Sequence, residues 1–140
     1  MRRQQLYVLM CSVVPLGCGP ETAGEALEKN VRTVCIMGRA LCYEQGVTVE
    51  EAEEPIEMCV EALAVERGER ARVMSQHCFE IYADFFACAA KWTCEEFLMI
   101  PSDPAVLDFP CMDYRAGLNR DCPGLSPLGD NDQLDEPQSP

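Results

Sequence analysis

The chain has 140 residues, 48% hydrophobic and 25% charged, a composition that fits one globular domain and excludes a disordered chain. Acids outnumber bases by 24 to 11, for a net charge of −13, and so acidic a chain excludes nucleic acid as a partner, because phosphate binding needs cations to displace counterions. Ten cysteines in this length point either to disulfides formed in an oxidising compartment or to a metal framework.

The first residues decide between these. Met1-Arg2-Arg3-Gln4-Gln5 precedes an apolar run from Leu6 to Leu16 that ends at Gly17 and Cys18. A basic start, a short apolar middle and a small residue before the break form the pattern of a secretory leader. The run is about half of the ~20 residues that a membrane-crossing helix needs, so it reads as a cleaved segment rather than a permanent span. Arg2-Arg3 reads as the basic start of that leader rather than a twin-arginine signal, since a chain due to form disulfides gains little from folding in a reducing cytosol.

Pro15-Leu16-Gly17-Cys18 resembles the lipobox of bacterial lipoproteins, with Pro15 where leucine is usual. The resemblance covers the leader alone. It implies that Cys18 receives a diacylglyceryl group, becomes the mature N-terminus and holds the protein to a membrane of the cell envelope through acyl chains such as palmitate. Expected partners are therefore that membrane and an envelope protein. Losing the two leader arginines takes the net charge from −13 to −15, which repels anionic head groups, so the acyl chains must do the holding. The expected layout is a leader over 1–17, a tether over 18–24, a helical domain over 25–122 and a disordered acidic tail over 123–140.

Within the domain, Leu27, Val31, Val34, Cys35, Gly38, Leu41 and Cys42 recur at three- and four-residue steps, the period of one helix face. Glu21 and Glu25 suit its positive end, and Gly46 is placed to stop it. Thr48 and Glu51 have capping-box spacing and predict a single turn, because Pro55 fits better as the first residue of the next helix. That second helix carries Ile56, Cys59, Val60 and Leu63 and should end at Gly68.

A third helix is predicted over Glu69 to Lys91, burying Val73, Met74, His77, Cys78, Ile81, Tyr82, Phe85, Cys88 and Ala89, with Trp92 just beyond. Its aromatic content makes it the expected centre of the core. Thr93 and Glu96 form another capping-box pair, predicting a short fourth helix over Cys94 to Met99 that Pro101 and Pro104 bound. Beyond Pro104 the periodicity fades. Val106, Leu107, Phe109 and Tyr114 are expected to lie irregularly against the bundle, held by Cys111 and Cys122. The predicted fold is all-α: a small disulfide-stapled bundle of three main helices, a short fourth one and an irregular C-terminal segment.

With Cys11 lost in the leader and Cys18 taken by lipid, eight cysteines remain: Cys35, Cys42, Cys59, Cys78, Cys88, Cys94, Cys111 and Cys122. Roughly a hundred pairings exist for eight. A hairpin turning at Gly68 would bring Cys59 and Cys78 to the same height, so Cys59–Cys78 is the first expectation, with Cys42 the main competitor for either partner. The later cysteines should tie the C-terminal segment to the first helix or to the end of the third. No two cysteines have the close spacing of zinc ligands or of a redox Cys-x-x-Cys, so no metal is expected.

His77, the only histidine, reads as a core or boundary residue. Glu50, Glu51, Glu53 and Glu54 read as carboxylates favoured at a helix start. Asp130, Asp132 and Asp135 lack the turn glycine and closing glutamate of a calcium loop. Tyr82, Phe85, Phe86 and Trp92 read first as core. Phe85 and Phe86 are adjacent, so one of them needs a second partner: the C-terminal segment, a ligand or another protein. With no nucleophile–base pair or phosphate loop, no catalytic residue and no cofactor are expected. The expected role is non-catalytic, binding or structural; the alternative is a carrier or sensor of a small apolar ligand.

Overall fold

In the computed structural model, which describes residues 20–42, 46–103 and 105–128, every regular element is helical. Cys11, Cys18 and the tail aspartates lie outside the described residues. Helix α1 spans Ala23–Ile36 and starts at Thr22, whose hydroxyl accepts from the Glu25 N–H while the Glu25 carboxylate accepts from the Thr22 N–H. Leu27, Val31 and Cys35 are its buried face, as their four-residue steps predict.

The helix then widens into a π-helical turn, Met37–Leu41, in which the Cys42 N–H reaches back to the Met37 carbonyl. Each widened turn takes an extra residue, so the inward face advances by one position. Met37 and Ala40 are buried, and Leu41, expected inside, is 63% exposed.

Helix α2 is Glu53–Val60. The expected Thr48–Glu51 turn precedes it with both capping bonds made. Pro55 is not the first residue of α2 but lies within the first turn, where its missing N–H would have had no helical partner.

The predicted stop at Gly68 is corrected by the structure. A second π-helical turn, Glu61–Glu66, leads without a break into α3, Arg67–Met74, so Gly68 is interior. Its role is close approach: a Cβ there would stand 3.0 Å from Leu27 Cδ2. The chain breaks instead at Ser75, whose hydroxyl caps α4, Gln76–Ala89, by accepting from the Cys78 N–H. The predicted third helix is thus two helices. Val73 and Met74, on the last turn of α3, and His77, on the first turn of α4, are exposed rather than buried.

Helix α4 is the centre of the core, packed against α1, α3 and a later helix, with Tyr82, Phe85, Phe86 and Ala89 buried. Thr93 and Glu96 close their capping box on the short α5, Cys94–Leu98.

The segment beyond Pro104 is less irregular than expected, because α6 forms over Met112–Asp121 and packs on α4. Its start, Cys111, holds a left-handed backbone with φ 71° that costs a non-glycine residue about 1 kcal/mol or more. Leu125 and Ser126 are also buried, so the folded part runs past the expected boundary at residue 122.

Four disulfides staple this all-α bundle: Cys35–Cys59, Cys42–Cys94, Cys78–Cys122 and Cys88–Cys111, with Cα separations of 5.9, 5.1, 5.8 and 5.7 Å. The expected Cys59–Cys78 bridge is therefore wrong, and the cause is the misplaced turn. With the break at Ser75, Cys59 lies about 24 Å of helix upstream of it while Cys78 follows within one turn. Cys59 meets Cys35 of α1 instead. Cys78 and Cys88 clamp the two ends of α4 to the two ends of α6.

Candidate functional site

His77 and the acidic run do not converge on one site. His77 is exposed, and its Nε2 lies 3.1 Å from Asp121 Oδ2. Arg120 bonds the same carboxylate at 2.8 and 3.1 Å, and Arg120, then His77, hold the Asp121 carboxyl well below the usual carboxylate range. This cluster flanks the Cys78–Cys122 bridge, one residue from each sulfur-bearing position. Because Cys78 is bonded to Cys122, it offers His77 no thiolate. In the acidic run, Glu51 is occupied as a cap, its carboxyl lowered by the bond from the Thr48 N–H.

The aromatic stripe of α4 shapes a site. Tyr82, Phe85 and Phe86 are nearly inaccessible, so both adjacent phenylalanines find partners within the chain. Their rings meet edge to face at 5.2 Å, and Phe85 meets Trp92 the same way at 5.9 Å. Tyr82 donates through its hydroxyl to the Leu63 carbonyl of the second π-helical turn at 2.6 Å, and burial pushes its phenol above the ordinary range.

Outward from these rings opens a cleft of about 290 Å³. The side of α1 and its π-helical turn supplies Val34, Gly38 and Arg39; the second π-helical turn supplies Leu63. Phe85, Phe86 and Trp92 form another wall, and Phe97, Ile100 and Leu128 complete it. Gly38 gives Phe97 room, since a Cβ there would stand 3.1 Å from the ring edge. The Cys42–Cys94 bridge holds α5, and with it Phe97, against the first π-helical turn. Both widened turns thus border the cleft.

A second hollow of about 330 Å³ adjoins the first, because Phe97, Ile100 and Leu128 line both. Its other walls include Pro101 and Arg115. Arg115 of α6 is only 3% exposed. Its Nη1 donates to the Pro101 carbonyl at 2.9 Å and lies 4.0 Å from Met112 Sδ, while its Nε has no acceptor among the described residues. Sequence reading missed this residue, because nothing in Asp113-Tyr114-Arg115-Ala116 marks the arginine as the buried one.

Comparison of the chain with protein-family models, with curated proteins and with solved structures gives no match. The class of protein is set by the fold alone: a small all-α bundle whose four disulfides belong to an oxidising, exported environment. Among the described residues no helix is long and apolar enough to cross a membrane.

Proposed function

We propose that this chain is a lipid-anchored protein of the bacterial cell envelope, held to a membrane through Cys18, whose helical domain acts by binding rather than by catalysis. The leader pattern and the four disulfides support the export half of this reading. The observation that carries the binding half is the open, aromatic-walled cleft beside the buried rings of α4. A binding role with an envelope protein would place a partner's apolar side chains there.

A second reading, a carrier or sensor of a small apolar ligand, is favoured by the size of the cleft. Its volume of about 290 Å³ meets the lower end of the ~300–1,000 Å³ typical of small-molecule pockets. The adjoining hollow extends it.

Two experiments test the proposal. Mass spectrometry of membrane-extracted protein, before and after reduction, should find acyl chains on an N-terminal Cys18 and an eight-hydrogen mass gain on reducing four disulfides. An unmodified chain still beginning at Met1 would overturn export. For the cleft, Trp92 is the only tryptophan and lines it, so its emission should shift saturably with the neutral probe 1-decanol. An unchanged spectrum counts against the cleft as a site for apolar groups.

A further inference from the structure

We infer that the two adjoining hollows form one site for a small amphiphilic carboxylate, its anionic head on the Arg115 guanidinium and its apolar body in the cleft floored by Trp92. This rests on reading the cleft as a binding site, and adds the chemical class of the occupant.

A guanidinium stays charged in proteins, and a buried charge without a partner is among the most expensive things a fold can contain. Arg115 is 97% buried by its exposure of 3%, yet no carboxylate among the described residues makes an ion pair with it. Among the described residues its acceptors are one carbonyl and a distant thioether, and its Nε has none there. In a chain carrying 24 acids, supplying an internal counter-charge would need only one of them nearby. The position instead resembles half of a pair whose other half arrives with a ligand. Guanidinium and carboxylate match as a two-pronged fork, the geometry for which arginine is preferred over lysine.

The second observation is what lies beside the arginine. Arg115 lines the hollow that shares Phe97, Ile100 and Leu128 with the apolar cleft, so a ligand held at its head passes over those three side chains toward Trp92. At interior packing density the apolar cleft of about 290 Å³ takes a body of roughly ten carbons. A bare inorganic anion would leave that cleft empty. A neutral hydrocarbon would leave Arg115 unpaired. An apolar body bearing one carboxylate satisfies both. The exposed Arg39 also lines the apolar cleft and is the competing cation for the head group.

The test uses the full mature chain with its disulfides intact and reads Trp92 emission during titration with decanoate, 1-decanol and decyltrimethylammonium. Decanoate should bind at least tenfold more tightly than the alcohol, and the cation should bind no better than the alcohol. Arg115→Met, which keeps length and removes charge, should erase the preference for decanoate while leaving 1-decanol affinity within about twofold. Arg39→Met alters a wall of the cleft but should keep the preference for decanoate over 1-decanol.

Circular dichroism and intact mass check that each variant is folded and fully bridged. A structural role for Arg115 is separated by thermal unfolding without ligand. There, Arg115→Met should melt within about 5 °C of the wild type, because removing a buried charge that lacks an ion pair offsets loss of the bond to the Pro101 carbonyl. Equal affinity for decanoate and decanol, or a decanoate preference lost in Arg39→Met but kept in Arg115→Met, overturns the inference and leaves the cleft standing. No spectral change with any of the three probes overturns both. A fall of more than about 5 °C in the melting temperature of ligand-free Arg115→Met overturns it as well, by showing that the arginine serves the fold.

Discussion

Removing the Cys78–Cys122 bridge by Cys78→Ala with Cys122→Ala should cost about 3 kcal/mol. The two positions are 44 residues apart, and a lone cross-link closing that loop contributes about 4 kcal/mol in the chain-entropy account. Cys88–Cys111 is nested inside it, however, with a separation of 23. In the unfolded but oxidised chain that inner bridge short-circuits the path, and the outer one closes a loop of only roughly 22 residues, worth about 3.4 kcal/mol. Losing two buried sulfurs adds to this; relief of strain subtracts. Against a typical total of ~5–15 kcal/mol, the loss is large enough to move a urea midpoint plainly. The assay is urea unfolding at neutral pH without reductant, followed by Trp92 emission, in a variant whose remaining six half-cystines are verified by mass. A loss under about 1 kcal/mol would refute the reasoning. It would mean that the segment after Asp121 stays docked without its staple, or that the bridge does not constrain the unfolded chain.

Other consequences follow from particular contacts. Gly68→Val should destabilise by ~1–3 kcal/mol, since even a Cβ would press on buried Leu27; Gly68→Ala should lie closer to neutral in the same urea assay, because its gain of about 1 kcal/mol in helix propensity offsets the crowding. Tyr82→Phe removes the hydroxyl's bond to the Leu63 carbonyl and should cost ~0.5–1.5 kcal/mol by urea midpoint, with the Trp92 environment unchanged. Asp121 has a folded-state carboxyl held low by Arg120 and then His77, so its stabilising effect is present above the ordinary carboxylate value of ~3.9 and is lost as pH falls below that toward the folded value. Asp121→Asn should therefore unfold at lower urea than the wild type at pH 7, and the gap should close as pH drops from about 5 toward 2. A gap independent of pH would show that the carboxylate charge is irrelevant there.

Much of the fold was legible, and where it was not the reason is local. The pairs Thr48 with Glu51 and Thr93 with Glu96 announced their turns because a capping box is a short-range device written in four residues. The stripe from Leu27 to Cys35 and the aromatic run of α4 were legible from period alone. Thr22 with Glu25 carried the same signal and was read only as favourable charge.

What failed was phase. Neither π-helical turn has a compositional mark, yet each shifts every later residue of its helix, which sent Leu41 outward. Glycine was read as a stop when its missing side chain served Leu27 across the interface. The pairing of Cys59 followed that error. Helix α6 was missed because Met-Asp-Tyr-Arg-Ala-Gly-Leu-Asn-Arg-Asp has few apolar residues and a central glycine, and it is held by two bridges more than by its own periodicity. The cleft was half visible, as the adjacent Phe85 and Phe86 that could not share one direction. Arg115 was invisible, since burial of a single arginine depends on which loops close over it.

The double clamp between α4 and α6 also bears on life among secreted proteases. Leu107 is 58% exposed, on the span between Cys94 and Cys111. A cut there would sever the backbone but release nothing, because Cys78–Cys122 and Cys88–Cys111 both join the downstream piece to the upstream one. The nicked molecule would run as one band until reduced and would weigh one water more than the intact form. A covalent ring of this kind lets the domain absorb a backbone break and stay in one piece.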